Sequence, residues 1–592
     1  MLFAFSSICP LLQGQIDFYL DPIVVIATYL RCGLLSDMRE TFIINQNEIA
    51  VLPVESVSEL IQYAGGVDLQ QRGTGGIQTD FGIRGSSFEQ VLILIDGVRL
   101  NDPQTGHHNG DIPLSISDVE RIEILAGHGS SLYGPDGFGG VVNIITKRMS
   151  GNQSNISVMS GSYGTIGGIL SQTFRIGSIV NRLSFEKKKS DGYRWDTEYD
   201  ITTISASSRL SMRNREIDWF FGHTSKDFGA NGFYGDYPSK EKTEQTVGRV
   251  GMIWQPKPFL SLQSKIFGRY HTDQFVLDYQ RPAWYQNRHY TVSWGGDVRA
   301  NIRFSQEKEM AFGWEYVEER LTSSRLGNHR RFRIGLFGEW VYPLSSRFII
   351  NGGVRADHQK EWGLELNPTV SIKYFLSSHI QWRSSVGRVF RAPSFTELYY
   401  HSPADIGNPS LKPEYGWSIE TGFCWGDRER CVETTFFWRD ERNEIEWITW
   451  KMGDPWEAVN IGQIHISGIS VSLDWTFGKW LSMQCRYTGM KRENENKMDY
   501  FAKYAYRVLK HHFVTTGFVQ LPWRMKQSLV LNLKQRYGFP FYLLLDSKCT
   551  FQWKQFTFFL QWTNILDTKY EEIPDVPMAG RCMMVGSSFI LE

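Results

Sequence analysis

The segment Asn101 to Asp111 concentrates side chains that bind rather than react: Asn101, Asp102, Gln104, Thr105, His107, His108 and Asn109. The pair His107-His108 could ligate a metal, since imidazole suits Fe, Cu and Zn. Adjacent side chains of an extended chain point to opposite sides, which disfavours chelation of one ion by both. The plainer reading is a polar loop that hydrogen-bonds a ligand or water, with no metal site. A second candidate is Asp227 to Tyr237, where Phe228, Phe233, Tyr234 and Tyr237 alternate with Gly and polar residues. These rings could stack on a large planar ligand or form an interfacial aromatic belt. The sequence contains no GxSxG, no HExxH and no phosphate-binding GxxxxGK[ST], so neither an enzyme nor a cofactor is implied. The seven Cys form no CxxC pair and no His-spaced set, and read as small packing residues.

Whatever positions these residues must suit an aromatic chain of balanced charge. Lys+Arg and Asp+Glu both total 63, which argues against nucleic acid, a partner that selects an excess of positive charge. Aromatics at 14% and 55 Gly favour pleated strands and tight turns. No run approaches the roughly 20 apolar residues of a membrane-spanning helix, so a membrane reading requires a β-barrel.

The pattern changes near residue 150. Before it, residues 51–147 read as a mixed α/β unit. Glu55 to Tyr63 has helical spacing at Val57, Leu60 and Ile61. Val91 to Ile95 is a continuous apolar run, as in a strand buried on both faces, and Asp96-Gly97 turns it into Val98-Arg99-Leu100. Val119 to Ala126 and Gly140 to Thr146 read as further strands. After residue 150 the period is two. Phe332, Ile334, Leu336, Trp340 and Tyr342 share one face, and Arg331, Arg333 and Glu339 share the other. Trp417-Ile419-Phe423-Trp425 and Ile469-Val471-Leu473-Trp475-Phe477 repeat the design. Apolar outside, polar inside and aromatic at the strand ends is the transmembrane-barrel pattern. A soluble sandwich also alternates, but it would not tolerate so many Trp and Phe on an outer face.

The blocks Ile83-Arg84-Gly85-Ser86, Val91 through Asn101, Val119 through Leu125, Ser130-Ser131-Leu132-Tyr133-Gly134 and Gly139 through Lys147 resemble the plug-domain signature of TonB-dependent receptors. Phe390-Arg391-Ala392-Pro393, Gly407 through Glu414, and the tail from Asn564 through Phe589 resemble the barrel of the same family. Two departures stand out. Ala126-Gly127-His128-Gly129 replaces the usual Arg-Gly-Pro, and the chain ends Phe589-Ile590-Leu591-Glu592 rather than on an aromatic residue.

The resemblance implies a membrane all-β fold: a 22-stranded antiparallel transmembrane barrel with an N-terminal α/β plug in its lumen. The chain then divides into 1–15, a signal-peptide remnant lacking its basic start; 16–39, a periplasmic segment; 40–147, the plug; and 148–592, the barrel. Asp21-Pro22-Ile23-Val24-Val25-Ile26-Ala27 resembles the TonB box, which adds its backbone to a sheet edge of the inner-membrane protein TonB. It is expected to be mobile or extended at the periplasmic mouth. Arg84, Gly85, Asp96, Gly97, Arg99, Arg121 and Glu123 are expected to be structural residues of the plug.

By the same resemblance, ligand is expected on the plug loops Arg72 to Thr79 and Asn101 to Asp111. Asn101, Asp102, Gln104, His107, His108 and Asn109 would contact it from the plug, and Phe233 and Tyr234 from an extracellular loop. The implied activity is TonB-dependent import of a bulky nutrient across the outer membrane of a Gram-negative bacterium, with outer-membrane lipid around the barrel. Cobalamin or another corrinoid is the favoured ligand, because Asn101 to Asp111 holds no Arg or Lys to attract an anionic chelate. A ferric siderophore is the alternative, and haem, through His401, a third. A passive porin is the rival of a different class; a plug and a TonB box discriminate against it. A surface lipoprotein that captures ligand first is an open addition.

Overall fold

The computed structural model describes residues 26–30, 38–148, 151–233, 235–305, 307–427, 429–495, 500–504 and 508–591. The segments of period two become the staves of a closed barrel of 22 antiparallel strands, from Gln153–Gly161 to Cys582–Leu591, and these two pair with each other to close it. Closure leaves no free sheet edge, so the wall's backbone polar groups are satisfied even where it faces hydrocarbon. Alternation sets the faces. In Gly327–Pro343, Ile334, Leu336, Trp340 and Tyr342 are exposed on the outside while Arg333 and Glu339 are buried inside. Glu414–Gly426 repeats this with Trp417, Ile419, Phe423 and Trp425 outside.

Connections at one end of the barrel are tight, as at 177–178, 213–214 and 258–259, and several at the other are long, as at 392–413, 443–462 and 564–581. The long connections fold on themselves. One contains the helix Phe395–Tyr399, and three of them share a small four-stranded sheet of Asp405–Ile406, Trp456–Asn460, Ile445–Thr449 and Phe501–Ala502.

The N-terminal unit is built on a five-stranded sheet in the order Thr41–Asn45, Val119–Ala126, Gly140–Thr146, Val91–Ile95, Val98–Arg99. Every residue of Val91–Ile95 is buried, as its unbroken apolar run predicts. Asp96 and Gly97 both adopt positive φ, 47° and 75°, which a two-residue hairpin turn of this hand requires. The predicted helix is shorter than its spacing suggests: α over Val57–Leu60, then a 3-10 turn over Ile61–Tyr63. Strand Thr41–Asn45 and helix Gln46–Val51, the latter held by an Asn45–Glu48 capping box, precede the region whose pattern was legible.

This unit fills the lumen. Its apolar core continues into inward-facing Phe220, Val247, Phe267, Val317, Val514 and Val530 of the wall. The lumen face is therefore not uniformly polar: it turns apolar where it meets the plug instead of water. Ion pairs complete the seam. Arg84 Nη1 lies 2.8 Å from Glu420 Oε2, Arg182 Nε 2.8 Å from Asp118 Oδ1, and Arg536 Nη2 2.7 Å from Asp68 Oδ1.

Candidate functional site

At the long-loop end, plug, wall and loops enclose a cavity of about 490 Å³. Period two brings Glu241 of Lys240–Lys257, Asp273 of Leu260–Val276 and His289 of Gln286–Arg303 onto the lumen face, and the register sets Asp273 directly across from His289. The plug contributes Gln104, His107 and His108. The two imidazoles sit in a 3-10 turn, Gly106–His108, rather than in extended chain, and they part company. His107 Nδ1 is 2.8 Å from Asp80 Oδ1 and its ring stacks on Phe88 with centroids 4.3 Å apart. His108 Nε2 lies 3.4 Å from Asp273 Oδ2.

Aromatic side chains form the upper wall. The Tyr285 and Tyr400 hydroxyls are 2.9 Å apart, Tyr237 meets Trp284 edge-on at 5.6 Å, and Tyr504 meets Phe88 edge-on at 5.2 Å. The charged lining is mainly acidic, including Asp80, Glu89, Glu241, Asp273, Glu444 and Glu446. Its two strong cations are already engaged: Lys503 Nζ is 2.5 Å from Asp405 Oδ1, and Arg492 pairs with Glu444.

Burial perturbs the plug groups here. It pushes the Glu89 carboxyl up to about 8, with the nearby Glu397 adding to the effect. It lowers His107 against the opposing pull of Asp80. Burial also disfavours the His108 imidazolium, but the Asp273 carboxylate more than offsets this and raises the pKa to about 10.

Gln104, His107 and His108, then, line the cavity. Asn101, Asp102 and Asn109 lie beneath it. Asn101 bridges the Ile93 amide and the Val91 carbonyl, each at 2.8 Å, and Asn109 Oδ1 accepts the Asp102 amide at 3.0 Å. Asp102 is a hub: Oδ2 accepts from Arg269 at 2.8 Å and from Thr291 at 3.1 Å, and Oδ1 accepts the Gln104 amide at 2.8 Å. Burial alone would raise this carboxyl; Arg269 and His271 reverse that and hold it well below the usual range. Phe233 is buried against Ile77, Tyr199 and Phe228 and does not line the cavity, whereas Tyr237 of the same loop does. Tyr234 lies outside the described residues, and His401 is exposed in its long loop.

The motif residues are woven into the plug and its seam. Arg84 pairs with Glu40 and Glu420, and Gly85 follows it at φ 75°. Arg99 donates to Asp136 at 2.5 Å and to the Tyr133 carbonyl at 2.8 Å. Asp96 accepts from the Thr146 amide and hydroxyl, and Gly97 N–H donates to Asn143. Arg121 pairs with Glu120 and Glu123. Arg391 makes a four-bond clamp with Glu397 and Glu414. His128, one of the departures, reaches from its turn to Ser385 of the wall, Nε2 to Oγ 3.0 Å.

At the tight-turn end, Asp21 to Val25 lie outside the described residues. Ile26 and Ala27 are docked rather than mobile, packed with Leu92, Leu94, Leu125 and Tyr133. The next residues hold the wall: Thr28 Oγ1 and the Tyr29 amide both donate to Glu339 at 2.8 Å, and the Tyr29 carbonyl accepts from Asn301 at 2.8 Å. Sequence reasoning passed over Glu241, Asp273, His289 and the aromatics Trp284, Tyr285 and Tyr400. Alternation marks the first three as inward-facing, but only strand register brings them together.

Comparison with known proteins gives the following. The family model "TonB dependent receptor-like, beta-barrel" matches residues 134–562, and "TonB-dependent Receptor Plug Domain" matches residues 37–141. The chain is 24% identical over 472 residues to the vitamin B12 transporter BtuB of Vibrio vulnificus, covering 74% of this chain and 72% of that one. It is 23% identical over 489 residues to the vitamin B12 transporter BtuB of Photobacterium profundum, covering 77% and 76%. Among solved structures, the siderophore receptor PirA from Pseudomonas aeruginosa superposes with TM-score 0.73 at 19% identity, covering 93% of this chain and 99% of that one. The FrpB iron transporter from Neisseria meningitidis gives 0.78 at 14%, covering 93% and 99%. At such identities the structural likeness speaks for the fold alone.

Proposed function

The chain belongs to the TonB-dependent receptor family, and on that premise we propose that it imports a bulky, amide-rich nutrient of the cobalamin class across the outer membrane of a Gram-negative bacterium. The long-loop end faces the outside and the tight-turn end the periplasm, where TonB engages the segment around Asp21 to Ala27. Import rather than catalysis is the role, with force transmitted through the plug in place of a nucleotide site.

The observation that carries the ligand class is the charge of the cavity. Even with Glu89 held neutral, its carboxylates outnumber Arg492 and Lys503, and both of these are bound to acidic neighbours. Such a lining repels an anionic ferric chelate and accepts a neutral ligand whose amide N–H groups donate to it. The rings of Trp284, Tyr285 and Tyr400 supply an apolar wall for a macrocycle. The nutrient named for the curated relatives points the same way.

The test is a titration of purified receptor against cobalamin, a panel of ferric siderophores and haem. Tight binding of cobalamin alone is expected. Binding of an iron chelate or haem at nanomolar concentration, with cobalamin weaker than micromolar, overturns the ligand class.

A further inference from the structure

We propose that the floor of the cavity is a binding site for one divalent first-row transition-metal ion, ligated by His108 of the plug and by Glu241 and Asp273 of the barrel wall. One potential donor atom from each residue lies within 4.8 Å of the other two, and all three residues are buried. The His108 Nε2 to Asp273 Oδ2 distance of 3.4 Å matches the roughly 3.3 Å between donors of a tetrahedral ion with bonds near 2.0 Å.

The second observation concerns what these carboxylates lack. Glu241 is 2% exposed and Asp273 6%, yet Glu241 Oε2 and Asp273 Oδ1 have no hydrogen-bond partner among the described residues. Buried carboxylate oxygens without a donor are costly and are usually paired or bound to metal. A neighbouring group, His108 with Asp111 and His271, is also close enough to ligate. Its members are already committed: Asp111 Oδ1 is 2.8 Å from Lys226 Nζ, and His271 bridges Asp111 and Asp102 at 3.0 and 2.8 Å. Of the two groups, only the one with Glu241 and Asp273 lies entirely in the cavity lining.

One imidazole and two carboxylates select Zn²⁺, Co²⁺ or Mn²⁺ over Ca²⁺ and Mg²⁺, which prefer all-oxygen sites. Three protein ligands leave the remaining coordination positions facing the cavity. Because the ligands come from both domains, the ion would clasp the apex of the plug to the barrel wall. This site does not depend on which nutrient is imported.

The experiment uses the full receptor in detergent, stripped with a chelator and titrated with Co²⁺. The expected result is about one equivalent bound with visible d–d bands, displaced by Zn²⁺ but not by millimolar Mg²⁺ or Ca²⁺. Hydrogen exchange at Gly106 to Asn109 should slow on loading. Glu241→Gln and Asp273→Asn should each weaken binding at least tenfold while keeping the heat-modifiable mobility of a folded barrel. Sub-stoichiometric binding to the folded wild type, or unchanged affinity in both variants, overturns the proposal. If a variant does not fold, the wild-type stoichiometry, displacement series and exchange data decide alone.

Discussion

Ile26 and Glu123 are joined by a buried hydrogen bond, the Ile26 amide donating to Glu123 Oε2 at 3.0 Å. The other Glu123 oxygen accepts from Arg121 Nε at 2.8 Å, so one carboxylate ties the N-terminal segment to a plug motif. Glu339 of the wall accepts from the Thr28 hydroxyl and the Tyr29 amide. Hydrogen bonds to a charged group contribute about 1.5–3 kcal/mol each. Glu339→Ala removes two of them, so hydrogen exchange across residues 26–30 should speed by more than about tenfold, leaving the plug sheet unaffected. Unchanged exchange would show that apolar packing alone holds the segment.

Val25→Pro tests the coupling itself. Proline removes the backbone donor that strand addition to TonB needs. Uptake should be abolished while ligand affinity stays within about twofold of wild type. Normal uptake would move the TonB contact elsewhere in the chain.

Arg84→Ala tests the seam. It leaves the buried Glu420 and Glu40 without their closest cation, a loss on the order of 3–5 kcal/mol for a broken buried pair. Cells carrying the variant should become sensitive to large antibiotics that the intact envelope excludes. Restored resistance in Arg84→Ala combined with Glu420→Gln would assign the defect to the unpaired charge, and wild-type resistance in the single variant would refute the role.

Glu89 predicts a pH dependence. Its carboxyl is raised from 4.5 to about 8 in the folded plug, so folding favours the protonated form. The stability this contributes is fully present below about 4.5 and is lost as pH rises through about 8. The thermal stability of the folded receptor should thus fall over that window. Glu89→Gln should flatten the profile; a profile identical to wild type would rule Glu89 out as its source.

Much of this architecture is legible in the sequence alone, for identifiable reasons. Val91–Ile95 and Gly140–Thr146 read as strands because each is a short, strongly apolar run punctuated by Gly or Asp. The barrel reads from its two faces because lipid and lumen impose opposite polarities on alternate residues. The cavity does not read this way. Glu241, Asp273 and His289 lie far apart in sequence on three strands and meet only through register. Asn101, Asp102 and Asn109 look like ligand contacts because they are polar, yet that polarity is spent on the Val91–Ile95 strand, on Arg269 and on their own loop. Phe233 looks like a stacking platform, but its ring packs beside Phe228 inside the loop.

Energised import is distinguished from leakage by uptake of labelled cobalamin into cells that lack their own cobalamin receptor and express this chain, with and without functional TonB. Accumulation beyond surface binding is expected only when TonB and the proton motive force are both present, with surface binding unchanged when either is removed. Accumulation at an undiminished rate without TonB would contradict energised import and make the chain a passive pore.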